Sequence, residues 1–201
     1  MLFLRGFVMG ISIAAPVGPI GALCIRRSVK NGWLSGFISG LGAATADMLY
    51  GSIAAFGLKT VSDVMISGQS CLRGFGGLFL IYLGLRTLLS KPEPEPTQER
   101  SLELLGSYGT TFILTLTNPL TLLAFVAIFT SIIPSDTRLT TLKSMQMVAG
   151  VFIGSSAWWM FLSLSIGAFR ERFSERFKYW IQWLSGGMIT LFGLGALITS
   201  L

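Results

Sequence analysis

Six long apolar stretches, roughly 2 to 25, 33 to 57, 70 to 90, 107 to 133, 144 to 169 and 179 to 200, alternate with short polar segments that hold most of the charge. Each reaches the length of about 20 residues that an α-helix needs to cross the hydrocarbon core of a bilayer. The pattern predicts an all-α integral membrane protein with six transmembrane helices. Between the third and fourth stretches, "SKPEPEPTQERSLE" is proline-spaced, acidic and without apolar periodicity, which reads as a solvated linker. It divides the chain into a first three-helix unit, 1–90, a linker, 91–106, and a second three-helix unit, 107–201.

Two of the apolar stretches are interrupted. The first contains "APVGP", with Pro16, Gly18 and Pro19, and the fourth contains "LTNPLT", with Asn118 and Pro119. Proline lacks an amide N–H and its ring crowds the carbonyl four residues earlier, so these positions should bend or break their helices. In hydrocarbon the freed carbonyls are costly, and such a break survives only inside protein or beside a water-filled cavity. A single membrane proline is often no more than a packing kink. Interruptions at corresponding positions of two halves point instead to a substrate cavity near the midplane. Three spans per half is an odd number, so equivalent halves would insert with opposite topology. The expected architecture is therefore two inverted-topology three-helix repeats, with helices 1 and 4 broken at the proline motifs.

Composition supports the membrane assignment: 52% of the 201 residues are hydrophobic and only 12% charged. The net charge of +6 has no aromatic-interleaved basic stretch to suggest nucleic acid, and acts more simply as an orientation signal. Ten basic residues fall near the loops after spans one, three and five (Arg26, Arg27, Lys30, Arg86, Lys91, Arg100, Arg170, Arg172, Arg176, Lys178) and five on the other side (Arg5, Lys59, Arg73, Arg138, Lys143). This bias predicts those three loops, the linker among them, to be cytoplasmic and both termini outside. The absence of histidine removes the commonest general base and metal ligand, and with them most hydrolytic enzyme chemistry. Cys24 and Cys71 have no metal-binding or disulfide spacing and read as packing residues. No cofactor motif is present. The first apolar run continues beyond signal-peptide length and carries prolines, so it reads as a retained span.

The second span, "GWLSGFISGLGAATADMLYGSIAAFG", repeats glycine at 32, 36 and 40, a surface suited to close helix approach. It also holds Asp47, the one acidic residue in the interior of any span. An aspartate at a helix centre costs roughly 3 kcal/mol on insertion scales, so it should face the bundle interior, where it can bind an ammonium group or carry a proton. It could also hydrogen-bond amides exposed at a helix break. Tyr50, three residues on, is placed to bond the carboxylate or line the same cavity. Asn118 can cap the resumed fourth helix or reach substrate. In span five, Gly150 and Gly154 suit close contact and Ser155 and Ser156 suit interhelical hydrogen bonds, while Trp158 and Trp159 could sit at the cavity or against lipid but read more simply as packing residues. Tyr179, Trp180 and Trp183 beside Arg176 and Lys178 read as an aromatic anchor at the membrane interface.

With these residues in place the chain resembles the LysE/RhtB family of amino-acid exporters. The resemblance rests on "APVGPIGALCIRRSVKNGWLSGFISGLGAATADMLYG" and "TNPLTLLAFVAIF" and covers nearly the whole chain. Pro16, Gly18, Pro19, Asp47, Tyr50, Asn118 and Pro119 occupy the positions of the family pattern. Ile20 and Gly21 stand where many members carry Asn or Gln-Asn, and Leu120 where many carry lysine. The resemblance implies a multi-pass protein of the bacterial inner membrane, proton-driven export of amino acids or related small amines, and a homodimer in membrane lipid. The paired membrane cysteines of more distant thiol-redox carriers have no counterpart in Cys24 and Cys71. The rival readings are a transporter of another small solute or cation, and a non-transporting membrane scaffold built on the glycine faces.

Overall fold

The computed structural model describes residues 2–16, 18–56, 69–89, 101–118, 121, 124–125, 140–169 and 175–198. They form seven helices: α1 (Leu2–Ala14), α2 (Pro19–Asn31), α3 (Trp33–Ala55), α4 (Gln69–Leu89), α5 (Ser101–Thr117), α6 (Thr141–Phe169) and α7 (Glu175–Ile198). Among the described residues there is no strand.

The first apolar stretch is two helices. The last turn of α1 closes with the Ala15 amide donating to the Ile11 carbonyl at 2.8 Å. Pro16 has no amide to continue the ladder. Pro19 opens α2, where a missing N–H costs nothing because the first helical amides are unbonded anyway. The two axes meet at 81°. Each piece has 13 residues, about 20 Å, too short to cross a core of about 30 Å alone. Helix α6 is long and apolar enough to cross by itself, and α1 with α2 passes the same criterion as a bent pair. Helices α3, α4 and α7 have 23, 21 and 24 residues, each long enough for a core of about 30 Å.

Two boundaries differ from those the pattern suggests. Helix α2 runs through Arg26, Arg27 and Lys30 to Asn31, well past residue 25. The reason is tertiary: Arg27 Nη1 donates to Ser39 Oγ at 2.8 Å, Ser107 O at 2.8 Å and Thr111 Oγ1 at 2.9 Å. Gly32 then joins α2 to α3 with a φ of 92°, a conformation that favours glycine, and its amide caps the Ser28 carbonyl. Helix α5 starts at Ser101, so residues 101–106 are helical rather than linker. The earlier linker residues, Pro119 and most of the expected fourth span beyond it lie outside the described residues.

Helix α1 runs along α6, α3 lies against both α5 and α6, α4 pairs with α7, and α2 covers α3, α6 and α7. Lipid tails are as apolar as leucine, so close backbone approach supplies much of what holds such helices together. A Cβ on Gly6 would strike the Met147 carbonyl, one on Gly150 the Phe3 carbonyl, and one on Gly154 the Phe7 carbonyl. On α3, a Cβ at Gly42 would strike the Tyr108 carbonyl of α5. In the last seam Gly84 lies over Gly186 and Thr190, while Gly193 lies over Gly77 and Ile81. The glycine face of α3 is used inside the protomer as well, with Gly36 against Ser28 and Ser163 and Gly40 under Trp159.

One end of the bundle collects the basic helix termini. Arg26 Nη1 donates to Thr87 Oγ1 at 3.2 Å and Gln182 Nε2 to the Thr87 carbonyl at 2.9 Å, tying α2, α4 and α7 together there. Gly167, near the end of α6, sits against Trp33 at the start of α3.

Replacing Gly154 with leucine should therefore push α1 off α6 and destabilise the protein by on the order of 2 kcal/mol or more. Gly109→Ala, where a Cβ meets nothing within 4 Å, should leave it unchanged. Thermal unfolding in detergent distinguishes the two; equal stability of both variants would refute the seam.

Candidate functional site

Helix α3 turns one face toward α6, and near the middle of that face lies Asp47, 3% exposed. Ser155 Oγ of α6 donates to Asp47 Oδ2 at 2.7 Å. A single hydroxyl leaves most of the carboxylate's acceptor capacity unused, since an ionised carboxylate has about four lone-pair sites. The small residues around it, Ala43, Ala44, Ala46 and Gly51, let α6 come close enough for that bond.

Asp47 borders a cavity of about 150 Å³. The wall is built from the ends of the interrupted segments. Ile13, Ala14 and Pro16 come from the end of α1, Gly18 to Gly21 from the start of α2, Thr115 and Asn118 from the end of α5, with Thr121 and Ala124 beyond it. Ala43, Trp159 and Phe192 complete the lining from α3, α6 and α7. No side-chain hydrogen bond caps the start of α2 at Gly18. The amides of Ile20 and Gly21 belong to that first turn and have no intrahelical acceptors, and both residues face the cavity wall.

Of the residues singled out in the sequence, Pro16, Gly18, Pro19, Asp47 and Asn118 meet at this one cavity. Pro119 lies outside the described residues. Tyr50 is buried one turn from Asp47, but its hydroxyl donates to the Leu116 carbonyl at 2.6 Å and its ring lies 5.6 Å from that of Phe125. It thereby satisfies one of the last carbonyls of α5, which the helix itself leaves unbonded. Asn118 closes a turn at the same helix end, its amide donating to the Thr115 carbonyl and its own carbonyl accepting from the Thr121 amide, both at 3.2 Å.

Sequence patterns did not single out Thr115 or Phe192, and left Trp159 between cavity, lipid and packing. Trp159 is 3% exposed, and its indole Nε1 has no partner among the described residues. Trp158, next to it, is half-buried and lies 5.8 Å from Phe161. The signal available for Trp159 was its spacing of one helical turn from Ser155, which acquires meaning only once Ser155 is known to meet Asp47. Cys24 is fully buried and free. Among the described residues no group of three or more His, Cys, Asp or Glu comes together that could hold a metal ion. Arg176, Tyr179, Trp180 and Trp183 line an open groove on the outer face of α7, the placement expected of an interfacial anchor.

The profile of the "LysE type translocator" family matches residues 11–200. A Bacillus subtilis (strain 168) protein named "Putative amino acid efflux protein YcgF" is 32% identical over 197 residues, covering 96% of this chain and 93% of the relative. An Escherichia coli (strain K12) protein, "Uncharacterized membrane protein YahN", is 27% identical over 175 residues, covering 85% of this chain and 77% of that one. No solved structure matches.

Ser155→Ala removes the hydroxyl from a buried carboxylate and should lower stability by about 1–3 kcal/mol. Asp47→Asn,Ser155→Ala together should cost less than the sum of the single changes. A double-mutant cycle on detergent unfolding measures this; simple additivity would show that the 2.7 Å contact carries no energy.

Proposed function

The chain belongs to the LysE type translocator family, and from that premise we propose that it is a secondary active transporter exporting amino acids or related small amines across the bacterial inner membrane. The observation that carries the proposal is the convergence of Asp47, the α1–α2 break and Asn118 on one cavity. Helix ends and a carboxylate are the groups with which an interrupted-helix transporter holds a small zwitterion. Asp47 binds the substrate amine, or exchanges it for a proton, while the α2 start meets the carboxylate. Tyr50 acts on the site through the end of α5, whose Leu116 carbonyl it holds, and Pro119, by its missing N–H, acts to stop that helix from continuing.

Two inverted three-helix repeats are supported by contacts that recur under exchange of the halves. Gly42 against Tyr108 and Phe112 has its counterpart in Gly150 against Phe3 and Phe7. Both ring pairs are stacked, at 6.2 Å and 6.5 Å. Asp47 and Ser155 are 108 positions apart, and so are Gly42 and Gly150. The same shift exchanges Gly36 beside Ser163 with Ala55 beside Ser144. In the α4–α7 seam, Gly84 over Gly186 and Thr190 mirrors Gly193 over Gly77 and Ile81. These contacts run α3 antiparallel to α6 and α4 antiparallel to α7, as opposite insertion of the halves requires. Rocking of one repeat against the other would then alternate access to the cavity.

The end that gathers Arg26, Arg27, Lys30, Arg86 and Arg176 is the cytoplasmic one by the basic-residue bias, which leaves both termini outside. Proton coupling through Asp47 would link its protonation to substrate binding, each shifting the other by the same factor. Homodimer formation follows from the family resemblance.

Efflux of preloaded labelled amino acids from cells expressing the protein should be selective, and Asp47→Asn at matched membrane abundance should reduce it by about tenfold or more. No efflux of any amino acid by the wild type moves the assignment to another solute. Unchanged efflux in the variant removes Asp47 from the mechanism.

A further inference from the structure

We infer that the indole N–H of Trp159 donates a hydrogen bond to the substrate's carboxylate, together with the uncapped start of α2, and that the cavity thereby selects α-amino acids with small uncharged side chains. The inference rests on the amino-acid export reading above and names the substrate class for that same site.

Trp159 forms part of the cavity wall, is 3% exposed, and leaves Nε1 without a partner among the described residues. A buried donor in that position carries a desolvation cost that an acceptor bound in the cavity removes. The ring has little freedom to find another partner. It lies on the bare backbone of Gly40, where a Cβ would meet Trp159 Cβ, Cγ and Cδ2, and it packs against Ala14, Ile20, Cys24 and Ala43.

The second donor group is independent of the first. Helix α2 has 13 residues, begins at the cavity and has no side-chain cap. Its first-turn amides and the positive end of its dipole favour an anion. The cavity therefore presents neutral donors at one part of its wall and the Asp47 carboxylate at another, the complement of a zwitterion. Among the described residues no lysine or arginine lines it, and Asp47 is the single acidic group. A charged side chain on the substrate would have no counter-charge left.

Volume sets the remaining limit. About 150 Å³ is the size of an engineered protein cavity that takes benzene, and alanine has the same number of non-hydrogen atoms as benzene. Lysine and phenylalanine are far larger than this space.

The test uses the full chain reconstituted in liposomes, with transport of labelled alanine competed by alanine, alaninamide, ethylamine, serine, lysine and phenylalanine. The wild type should prefer alanine and serine over lysine and phenylalanine, and alanine over alaninamide. Trp159→Phe keeps a ring on Gly40 but has no N–H; it should weaken alanine by about tenfold while leaving ethylamine unchanged. If that variant does not reach the membrane, Trp159→Met fills the volume without a donor and takes its place. A variant that retains the full preference for alanine over alaninamide overturns the role of Trp159, as does a wild type that never shows that preference. A wild type that takes lysine or phenylalanine as readily as alanine overturns the size limit. In each of these cases export of amino acids itself stands. Transport of no amino acid by the wild type overturns both.

Discussion

A carboxylate inside a membrane bundle must be met by protein, and the hydrogen bond from Ser155 to Asp47, 2.7 Å long, is the contact around which the other helices are arranged. It exists because α3 offers Ala43, Ala44 and Gly51 beside Asp47, so that α6 can cross it closely. Helix α6 is in turn clasped by α1 through backbone contacts at Gly6, Gly10, Gly150 and Gly154, none of which leaves space for a Cβ. That clasp carries the end of α1, and with it the break before α2, to the carboxylate. Polar chemistry at the centre and glycine at the seams are thus one arrangement: without the close seams the break and the acid would not share a cavity.

Much of this was legible in the chain. The apolar runs located α3, α4, α6 and α7 to within a few residues, because length and hydropathy are local properties. Around Pro16 and Pro19 the chain passes from α1, ending at Ala14, to α2, starting at Pro19, and proline acts on its own helix. Asp47 was legible because a lone acid in an apolar run has few acceptable environments. The end of α2 was not. A charge pair such as Arg26 and Arg27 reads as the edge of a span, and only the oxygens of Ser39, Ser107 and Thr111, brought from α3 and α5, explain why the helix continues through it.

The site itself was half legible for the same reason. Residues that announce themselves by type, Pro16, Pro19, Asp47 and Asn118, line one cavity. Residues that matter through register do not announce themselves. Trp159 read as a packing aromatic, with cavity and lipid as alternatives, until the antiparallel crossing of α3 and α6 put it beside Ala43 and over Gly40. Tyr50 shared a helical side with Asp47, but the nearer acceptor was the Leu116 carbonyl, a group freed by the end of α5 far along the chain.

Arg27 shows what these long-range partners do to mechanics. Its guanidinium is anchored on α2 and bonded to a side chain of α3 and to both backbone and side chain of α5. Pulling any one of these helices away would strand a cation and at least one oxygen in a poorly hydrated place, a cost that grows before any compensating water can enter. At that end of the bundle the three helices consequently behave as a single stiff wedge, and bending there is confined to the joints around it: the Pro16–Pro19 break at one end of α2 and the positive-φ Gly32 at the other.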